Sequence, residues 1–415
     1  MAAIATPDDD QPVPPAAAGA VPPGAAGPSS RLARRARGFG STIFAEMSAL
    51  ALATGSINLG QGFPDTDGPP EVLEAAVEAI RTGHNQYPPG IGIPELRRAV
   101  ADHRARRYGT AYDADTEVLV TAGATEAIAA TLLALCEPGD EVVAFEPFYD
   151  SYSAAIALAG GVRVGVTLRP PGFRPDLDAF AAAITPRTRL VLVNTPHNPT
   201  GSVFTRDELA EIARLCVEHD LVAVTDEVYE HLVFAGEHVP LASFPGMGDR
   251  TVTISSAGKT FSVTGWKIGW VCAAEPLTTA VRTVKQFLTY VNGAPFQPAV
   301  ALALDRADDL VPPLVAALRD GRDRLMAGLS AVGFEVFCPD GTYFVTTDVA
   351  ALGVGDGIDL CRRLPHEAGV VAIPASVFYA DPATAPTLVR FAFCKRPEVL
   401  DEAVARLAGW AEGRR

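Results

Sequence analysis

The sequence predicts an α/β protein with a mostly parallel sheet flanked by helices and, after it, a smaller α+β domain. Three observations support this prediction. Between residues 117 and 272, short and nearly continuous apolar runs alternate with segments of helical periodicity, which is typical of strands buried on both faces. Beyond about residue 300, a long helical segment is followed by shorter strands. The chain has 415 residues, of which 48% are hydrophobic and 20% charged, so it can form more than one core.

Prolines and glycines mark the first two helices. Pro69 and Pro70 open an apolar-periodic segment that Gly83 closes, because proline is tolerated in a first helical turn and glycine often ends a helix. Pro94 opens a second segment of this kind, which ends before Gly109. We therefore predict a helix between Pro70 and Gly83 and another over 94–108.

Seven apolar runs predict the strands of the large sheet. They lie at 118–121, 141–145, 162–166, 190–193, 221–225, 251–255 and 268–272. Helices are predicted between several of them, including one after Gly123 and one from Thr205 to His219, where Thr205 and Glu208 have capping-box spacing. The smaller domain follows, with a helix near 311–330, strands at 334–336 and 343–346, another helix and a strand at 388–393.

Changes in composition divide the chain into four regions. Residues 1–36 are rich in proline, alanine and glycine, and we expect them to form a disordered tail. We expect residues 37–58 to pack on the small domain and residues 59–300 to form the large domain with the ligand site. Residues 301–415 are expected to form the small C-terminal domain.

Composition and charge also argue against several classes of function. With a net charge of -15 and no basic patch, the chain would repel nucleic acids and anionic membrane surfaces. No apolar run reaches the ~18 residues that a membrane helix needs, and no secretion signal is recognisable. The six cysteines form no CxxC pair and no metal-like group, which indicates reduced thiols and no metal site. We therefore expect a cytoplasmic protein that acts on small molecules.

One lysine stands where a ligand site is expected. Only four of the 34 lysine and arginine residues are lysines, and an amine can condense with an aldehyde whereas a guanidinium cannot. Lys259 follows the predicted strand 251–255, and ligands of open α/β sheets bind beyond the carboxyl ends of strands. Desolvation there would lower its pKa and make the neutral amine available. Taken alone, however, Lys259 is better explained as a solvated loop residue.

Neighbouring residues favour a site for a phosphorylated aldehyde. Ser256 offers a hydroxyl and Lys267 offers a fixed cation, both close to Lys259 in sequence. Ala124 and Thr125 begin a predicted helix, whose first N–H groups and positive dipole end attract a phosphate. Without the lysine segment, the turn before this helix would be explained as an ordinary tight turn.

An arginine in the last predicted strand indicates a carboxylate ligand. Arg390 lies in the apolar run 388–393, so it is expected to be buried and to need an anionic partner. Its planar fork fits a carboxylate through two hydrogen bonds, so the α-carboxylate of a substrate is a natural partner. The alternative is a structural ion pair with an internal acid.

Four segments carry a resemblance to a known family. They run from Ser256 to Trp270 (SAGKTFSVTGWKIGW), from Asn194 to Gly201 (NTPHNPTG), from Thr225 to Tyr229 (TDEVY) and from Asn58 to Asp65 (NLGQGFPD). In order and spacing they resemble the class I/II pyridoxal-phosphate-dependent aminotransferases of fold type I, and the resemblance extends from about residue 40 to the C-terminus. Further segments, such as EPFYDSY and GAPFQP, are most similar to the kynurenine/glutamine transaminase group and to actinobacterial N-succinyldiaminopimelate aminotransferases.

This resemblance implies a site for pyridoxal 5′-phosphate. Lys259 would hold the cofactor covalently and then act as the base on the substrate. Asp226 would pair with the pyridine nitrogen, although its position also suits a helix N-cap. Tyr229 and Asn198 would bond the phenolic oxygen, and Tyr149 would stack on the ring unless it is only a core aromatic.

The resemblance also assigns the remaining site residues. The phosphate would be held by Ala124, Thr125, Ser256 and Lys267, the last standing where many relatives have arginine. Tyr87 would reach the phosphate of a neighbouring subunit, since sites in this family lie at a dimer interface. Arg390 and Asn198 would bind the substrate, with Gly62 and Phe63 beside it.

The expected reaction is a ping-pong transfer of an amino group between glutamate and a 2-oxo acid. By resemblance, the favoured acceptor is N-succinyl-2-amino-6-ketopimelate of lysine biosynthesis. Aromatic or sulfur-containing 2-oxo acids, typical of kynurenine, glutamine and methionine aminotransferases, are the alternative. A cysteine-S-conjugate β-lyase and a non-catalytic cofactor-binding regulator remain further hypotheses.

Overall fold

The computed structural model describes residues 32–413. The predicted tail at 1–36 lies almost entirely outside the described residues, and its last part contains a short 3-10 helix at Arg34–Ala36. The helices within residues 32–413 are α1 (Ile43–Thr54), α2 (Pro70–Arg81), α3 (Pro94–Tyr108), α4 (Gly123–Leu135), α5 (Asp150–Leu158), α6 (Leu177–Ala183), α7 (Arg206–Glu218), α8 (Ala257–Thr260), α9 (Glu275–Lys285), α10 (Phe296–Asp305), α11 (Ala307–Val332), α12 (Gly357–Glu367) and α13 (Pro397–Glu412). In this part of the chain, no helix combines the length and hydrophobicity that crossing a membrane requires.

The strands form one large and two smaller sheets. They are β1 (Ile57–Asn58), β2 (Val118–Ala122), β3 (Glu141–Glu146), β4 (Val162–Thr167), β5 (Thr188–Asn194), β6 (Val222–Asp226), β7 (Thr251–Ser256), β8 (Ile268–Cys272), β9 (Glu335–Phe337), β10 (Phe344–Asp348), β11 (Val370–Val371), β12 (Ile373–Pro374) and β13 (Leu388–Ala392). The large sheet has the order β2-β8-β7-β6-β5-β3-β4. Its strands pair in parallel except β8, which is antiparallel to both β2 and β7. The predicted fold class is therefore confirmed.

Helices cover both faces of the large sheet. Because side chains alternate along a strand, neighbouring residues of β3 enter different cores. Val142 packs in a cluster with Ile128 of α4, whereas Val143 packs in a cluster with Ile212 of α7. Burial on both faces explains why the strands are almost continuously apolar in sequence.

The C-terminal part of the chain is built on an antiparallel sheet of order β12-β13-β10-β9. In it, Arg390 of β13 lies opposite Thr346 of β10 and Ile373 of β12. The N-terminal strand β1 pairs in parallel with β11, with Ile57 opposite Val370, and α1 contacts α12. These contacts support our proposal that residues 37–58 belong with the C-terminal part, whereas the domain limits at 59 and 300 stay a prediction.

The predicted helix ends are present in the structure. Thr205 and Glu208 form a reciprocal capping box at the start of α7, in which each side chain accepts a hydrogen bond from the other's N–H group. Gly109 ends α3 in the left-handed conformation, with φ 69°. Pro70 and Pro94 occupy the first turns of α2 and α3. These local signals fix where the helices that flank the sheet begin and end.

Candidate active site

The carboxyl ends of β5, β6 and β7 bring several predicted site residues to one edge of the large sheet. Asn194 of β5 pairs in register with Asp226 of β6, and Asp226 pairs with Ile254 of β7. Ser256 ends β7, and the one-turn helix α8 that follows it contains Lys259. Neighbouring parallel strands end at a common edge, so residues far apart in sequence meet there.

Lys259 presents a half-buried amine. Its Nζ lies 3.4 Å from the carbonyl oxygen of Gly62 and 5.6 Å from the centre of the Tyr343 ring. Burial lowers the pKa of Lys259 to about 8, and the negative charge of Asp226 offsets only part of this effect. Lys259 is therefore unlike the solvated loop lysine that is the alternative interpretation of the sequence. The neutral amine is therefore far more accessible near neutral pH than that of an ordinary lysine.

Asp226 is held at the end of β6 by three hydrogen bonds. The Tyr152 hydroxyl donates to Asp226 Oδ2 over 2.5 Å, and the Val228 N–H donates to Oδ1 over 3.3 Å. Asn194 Nδ2 donates to the Asp226 carbonyl oxygen over 2.8 Å. Burial raises the pKa of Asp226 to about 6, against the opposing effect of Tyr152. No helix follows Asp226 directly in the described chain, so its alternative role as a helix N-cap is wrong.

Tyr229 is buried one turn after Asp226. Its ring meets Tyr343 edge-to-face, with the ring centres 5.2 Å apart, and burial raises its pKa well above the usual value. The Tyr343 hydroxyl donates a hydrogen bond to the Gly62 carbonyl oxygen, the same atom that Lys259 approaches. A side chain on Gly62 would lie 2.4 Å from Phe344 Cζ, so only glycine fits here without displacing the ring. Tyr229, Gly62 and Lys259 thus belong to one group of contacts.

Arg390 is 1% exposed and lies in β13. One Nη donates to Asn198 Oδ1 over 2.9 Å, and the other donates to the Gly60 carbonyl oxygen over 3.0 Å. Its Nε is buried without a hydrogen-bond partner among the described residues. The guanidinium carbon lies 3.9 Å from the centre of the Phe344 ring.

Arg390 forms no salt bridge with an acid within residues 32–413, so the alternative of a structural ion pair is wrong there. Burial lowers its pKa to about 10. A buried cation without a carboxylate partner is a ready binding site for an anion from outside the chain.

The start of α4 and the segment around Lys267 lie side by side. A side chain built on Gly123 would lie 3.2 Å from Lys267 Nζ, which places this exposed amine beside Ala124 and Thr125. The backbone of Lys267 is in the left-handed region, with φ 54°, and its carbonyl oxygen accepts a hydrogen bond from Asn292 Nδ2 over 2.9 Å. An ammonium group beside a helix N-terminus favours an anion.

The remaining predicted residues lie at the borders of this group. Tyr149 is half-buried and meets the Tyr152 ring edge-to-face, with the ring centres 5.7 Å apart. Phe63 is exposed, and Lys395 Nζ lies 4.3 Å from its ring centre. Tyr87 is 82% exposed, and its ring contact is with Tyr290.

The structure adds residues that the sequence analysis missed. Tyr152, Asn194 and Tyr343 each contact a predicted site residue through a hydrogen bond or a ring. Asn194 and Tyr152 lie inside segments that carry the resemblance, and Tyr343 begins a predicted strand, so their positions could have marked them. Asn292 carries no such signal, because its Nδ2 joins the Lys267 carbonyl oxygen to that of Thr121, which lies 171 positions away in the chain.

Comparisons with known proteins agree with this arrangement. The family model for aminotransferase class I and II matches residues 54–407. This chain belongs to that family. The predicted family and the expectation of an aminotransferase are thereby confirmed, and the non-catalytic regulator is no longer supported.

Three relatives illustrate the range of the family. The solved structure of N-succinyldiaminopimelate aminotransferase from Mycobacterium tuberculosis is 56% identical, with a TM-score of 0.89 over 91% of this chain and 100% of that one. Methionine aminotransferase from Escherichia coli is 42% identical over 89% of this chain and 95% of its own. Kynurenine–oxoglutarate transaminase 3 from Rattus norvegicus is 38% identical over 91% of this chain and 90% of its own.

The Tyr152–Asp226 hydrogen bond predicts a pH-dependent loss of stability in Tyr152→Phe. The raised pKa of Asp226 means that the folded protein binds this proton more tightly than the unfolded chain does. Burying Asp226 therefore costs stability as the pH rises from about 4 to about 6. Without the Tyr152 hydroxyl the pKa rises further, so cofactor-free Tyr152→Phe should lose ~1.5–3 kcal/mol at pH 7.5 but less at pH 5.

Thermal unfolding at the two pH values measures this difference. Tyr379→Phe is the matched control, because the Tyr379 hydroxyl donates to the carbonyl oxygen of Leu168, which does not titrate. Its loss of stability should be the same at both pH values. An equal loss at pH 5 and pH 7.5 in Tyr152→Phe would contradict the role of the hydroxyl in holding Asp226 ionised.

Proposed function

We propose that this aminotransferase depends on pyridoxal 5′-phosphate and exchanges an amino group between glutamate and a 2-oxo acid by a ping-pong mechanism. The observation that carries the proposal is the Lys259 amine, which is half-buried and has a lowered pKa. Lys259 follows β7, the neighbour of the strand that ends in Asp226. An amine in this state is suited to condense with an aldehyde.

The residues present fit the cofactor at both ends. At the phosphate end, Ser256, Lys267 and the first N–H groups of α4 at Ala124 and Thr125 offer donors and positive charge. At the ring end, the raised pKa of Asp226 indicates a buried carboxylate that a cationic ring nitrogen would stabilise. The proposed phosphate site thus rests on the positive charge of Lys267 and of the start of α4, and the proposed ring site rests on the negative charge of Asp226.

When bound, the cofactor supplies an electron sink for the carbanion that forms at the substrate Cα. The protein supplies the proton transfers. Lys259 Nζ would take the proton from the substrate Cα and deliver it to the C4′ carbon of the cofactor, and its pKa of about 8 in the cofactor-free protein suits an amine that both accepts and donates a proton. Asp226 would keep the ring nitrogen of the cofactor protonated, and the Tyr152 hydroxyl, which donates to Asp226 Oδ2, favours the charged form of Asp226.

The other site residues orient the reacting molecules. Tyr229 and Asn198 would donate to the phenolic oxygen of the cofactor, and Tyr149 would stack on its ring. Arg390 binds the α-carboxylate through its fork, and Asn198 Oδ1 holds that fork in place. Since amino donors and 2-oxo acceptors share this carboxylate, one arginine serves both halves of the reaction.

The natural acceptor is proposed to be N-succinyl-2-amino-6-ketopimelate, in lysine biosynthesis. The similarity to the Mycobacterium tuberculosis enzyme named for this substrate supports it. The relatives from Escherichia coli and Rattus norvegicus keep methionine and kynurenine as alternative donors, and a cysteine-S-conjugate β-lyase remains a further alternative.

We also propose a cytoplasmic homodimer whose sites lie at the interface. The support is a group of exposed apolar side chains near Tyr87. They are Tyr87, Phe287, Leu288 and Tyr290. Exposed clusters of this kind mark interaction surfaces, and Phe63 and Gly62 would line the substrate side of the same site.

Gly269→Ala is expected to weaken cofactor binding. A Cβ at Gly269 would lie 2.6 Å from the carbonyl carbon of Gly123 and 2.9 Å from the nitrogen of Ala124. Overpacking of this kind costs ~1–3 kcal/mol, so the Kd for pyridoxal 5′-phosphate should rise by roughly 10-fold. Gly265→Ala is the control, since nothing lies within 4 Å of its Cβ position. Equal affinities of the two variants, measured by absorbance titration, would count against the proposed phosphate site.

Lys259→Ala should abolish both turnover and the visible absorbance of the bound cofactor. Lys259→Arg should fail in the same way, because it keeps the positive charge but cannot condense with an aldehyde. Absorbance spectra and transamination assays of the purified variants measure this. Turnover at the normal rate in either variant would refute the assignment of Lys259.

A panel of acceptors with glutamate as donor tests the proposed substrate. We expect kcat/KM for N-succinyl-2-amino-6-ketopimelate to exceed that for the 2-oxo acids of methionine and kynurenine by about 100-fold or more. Higher values for one of those acids would favour the alternative instead. Release of pyruvate and ammonia from cysteine conjugates without any 2-oxo acid would indicate the β-lyase.

A further inference from the structure

A cluster of buried charged and polar groups lies behind the candidate site, between α3 and the turn that follows β6. Its centre is Arg104 of α3, whose side chain is 1% exposed. Arg104 Nη1 donates to Glu227 Oε2 over 2.8 Å and to Glu230 Oε2 over 3.0 Å. The guanidinium carbon lies 4.7 Å from the centre of the Tyr108 ring. One cation thus holds two buried carboxylates of a single turn.

Both carboxylates also accept hydrogen bonds from residues of β6 and β7. Glu227 Oε1 accepts a hydrogen bond from Thr225 Oγ1 over 2.9 Å, and Glu230 Oε1 accepts one from Ser255 Oγ over 2.6 Å. Burial would raise the pKa of Glu227, but Arg104 and the His238 ring, which hydrogen-bonds Glu227 Oε2 over 3.0 Å, together hold that pKa below its usual value. Arg104 is the strongest of the groups that keep both carboxylates ionised.

A second arm of the cluster reaches the helix that carries Lys259. His103 Nε2 and His231 Nε2 share a hydrogen bond of 2.9 Å, and His231 Nδ1 bonds Thr260 Oγ1 over 3.0 Å. Burial lowers the pKa of His231 to about 3, so this histidine is neutral at physiological pH. The arm joins α3, the turn after β6 and α8 without adding charge.

Several members of the cluster are the sequence neighbours of candidate catalytic residues. Glu227 follows Asp226, Glu230 follows Tyr229, and Thr260 follows Lys259 in sequence. Ser255 likewise precedes a proposed phosphate ligand. The turn after β6 therefore directs Asp226 and Tyr229 towards the site. The next residue in each case, Glu227 or Glu230, is bonded to Arg104.

A metal ion is the alternative occupant of this cluster. His103, Glu230 and His231 offer ligand atoms within 4.8 Å of one another, and Glu227, Glu230 and His238 form a second such group. Arg104 Nη1, however, already lies at hydrogen-bond distance from both carboxylates. The positive charge that a metal would bring is supplied by the protein itself, so we do not assign a metal site here.

We propose that Arg104 is a positioning residue for transamination, which acts through Glu227 and Glu230 to fix Asp226 and Tyr229 relative to Lys259. This inference rests on the function proposed above and extends it to a residue that touches neither substrate nor cofactor. Loss of Arg104 leaves two buried carboxylates without their cation, so the turn must move or open to water. A displacement of ~1 Å at the reacting groups can lower the rate about 100-fold.

The test compares Arg104→Met with Arg98→Met, which removes an exposed arginine of the same helix, paired with Glu95 only at the surface. Hydrogen exchange of the cofactor-free proteins is the first measurement. The amide of Glu227 donates to Ile254, and that of Glu230 donates to the Glu227 carbonyl oxygen. In Arg104→Met these amides should exchange at least ~10-fold faster than in Arg98→Met, whereas amides of the small domain should not change.

Kinetics of the cofactor-loaded proteins are the second measurement. For Arg104→Met we expect kcat to fall about 10- to 100-fold while the KM for glutamate stays within about 2-fold, because Arg390 shares no contact with the cluster. Arg104→Lys keeps one charge and should restore part of kcat. A purely structural role would lower the melting temperature and leave kcat of the folded enzyme unchanged.

The outcomes distinguish a failure of the positioning role of Arg104 from a failure of the proposed function. If the unaltered protein transaminates and Arg104→Met matches Arg98→Met in both exchange and kcat, the positioning role is refuted. If Arg104→Met does not fold, Glu230→Gln decides instead, since it removes one charge and keeps the shape. We expect it to show the same local exchange and a smaller fall in kcat, and normal values would refute the role. If the unaltered protein neither binds the cofactor nor transaminates, the proposed function itself fails.

Discussion

The parallel register of β5, β6 and β7 is the constraint on which the site depends. It sets Asn194 opposite Asp226 and Asp226 opposite Ile254, so the residues after each strand face one another across a single edge. Side chains alternate along a strand, so a slip of one residue in β6 would turn Asp226 away from the site and turn Glu227 towards it. The apolar cores on both faces of the sheet oppose such a slip, and packing far from the site therefore fixes its chemistry.

Two cations of the candidate site, the half-buried Lys259 and the buried Arg390, form no salt bridge with a carboxylate within residues 32–413. Burial lowers the pKa of Lys259 to about 8 and that of Arg390 to about 10, in both cases because desolvation penalises the charged form. Arg104, by contrast, is a buried cation that the chain pairs with Glu227 and Glu230. We therefore propose that Arg390 is left unpaired for a carboxylate of the substrate, and that the Lys259 amine is left to condense with the aldehyde of the cofactor.

The sequence was sufficient for those parts of the structure that local patterns control. Seven apolar runs, the capping box at Thr205 and the segments around Lys259 and Asp226 predicted the sheet, the helix ends and the family. It did not predict Tyr152 as the partner of Asp226, or Tyr343 and Gly62 beside Lys259. These contacts join residues tens to hundreds of positions apart, and a single sequence carries no signal for such pairs. The burial of Arg104 was hidden for the same reason, since α3 contains several other arginines that lie at the surface.

The turn after β6 shows how a short motif can serve two purposes. Asp226 and Tyr229 are three residues apart, and so are Glu227 and Glu230, so one turn presents each pair on its own side. The first pair belongs to the proposed reaction, and the second pair anchors the turn to α3 through Arg104. The second pair bonds Arg104, Thr225 and Ser255 rather than Arg390 or Phe63, where the substrate is proposed to lie. The anchored turn can thus stay fixed while the lining of the substrate pocket varies, which is consistent with relatives of one fold bearing the names of different substrates.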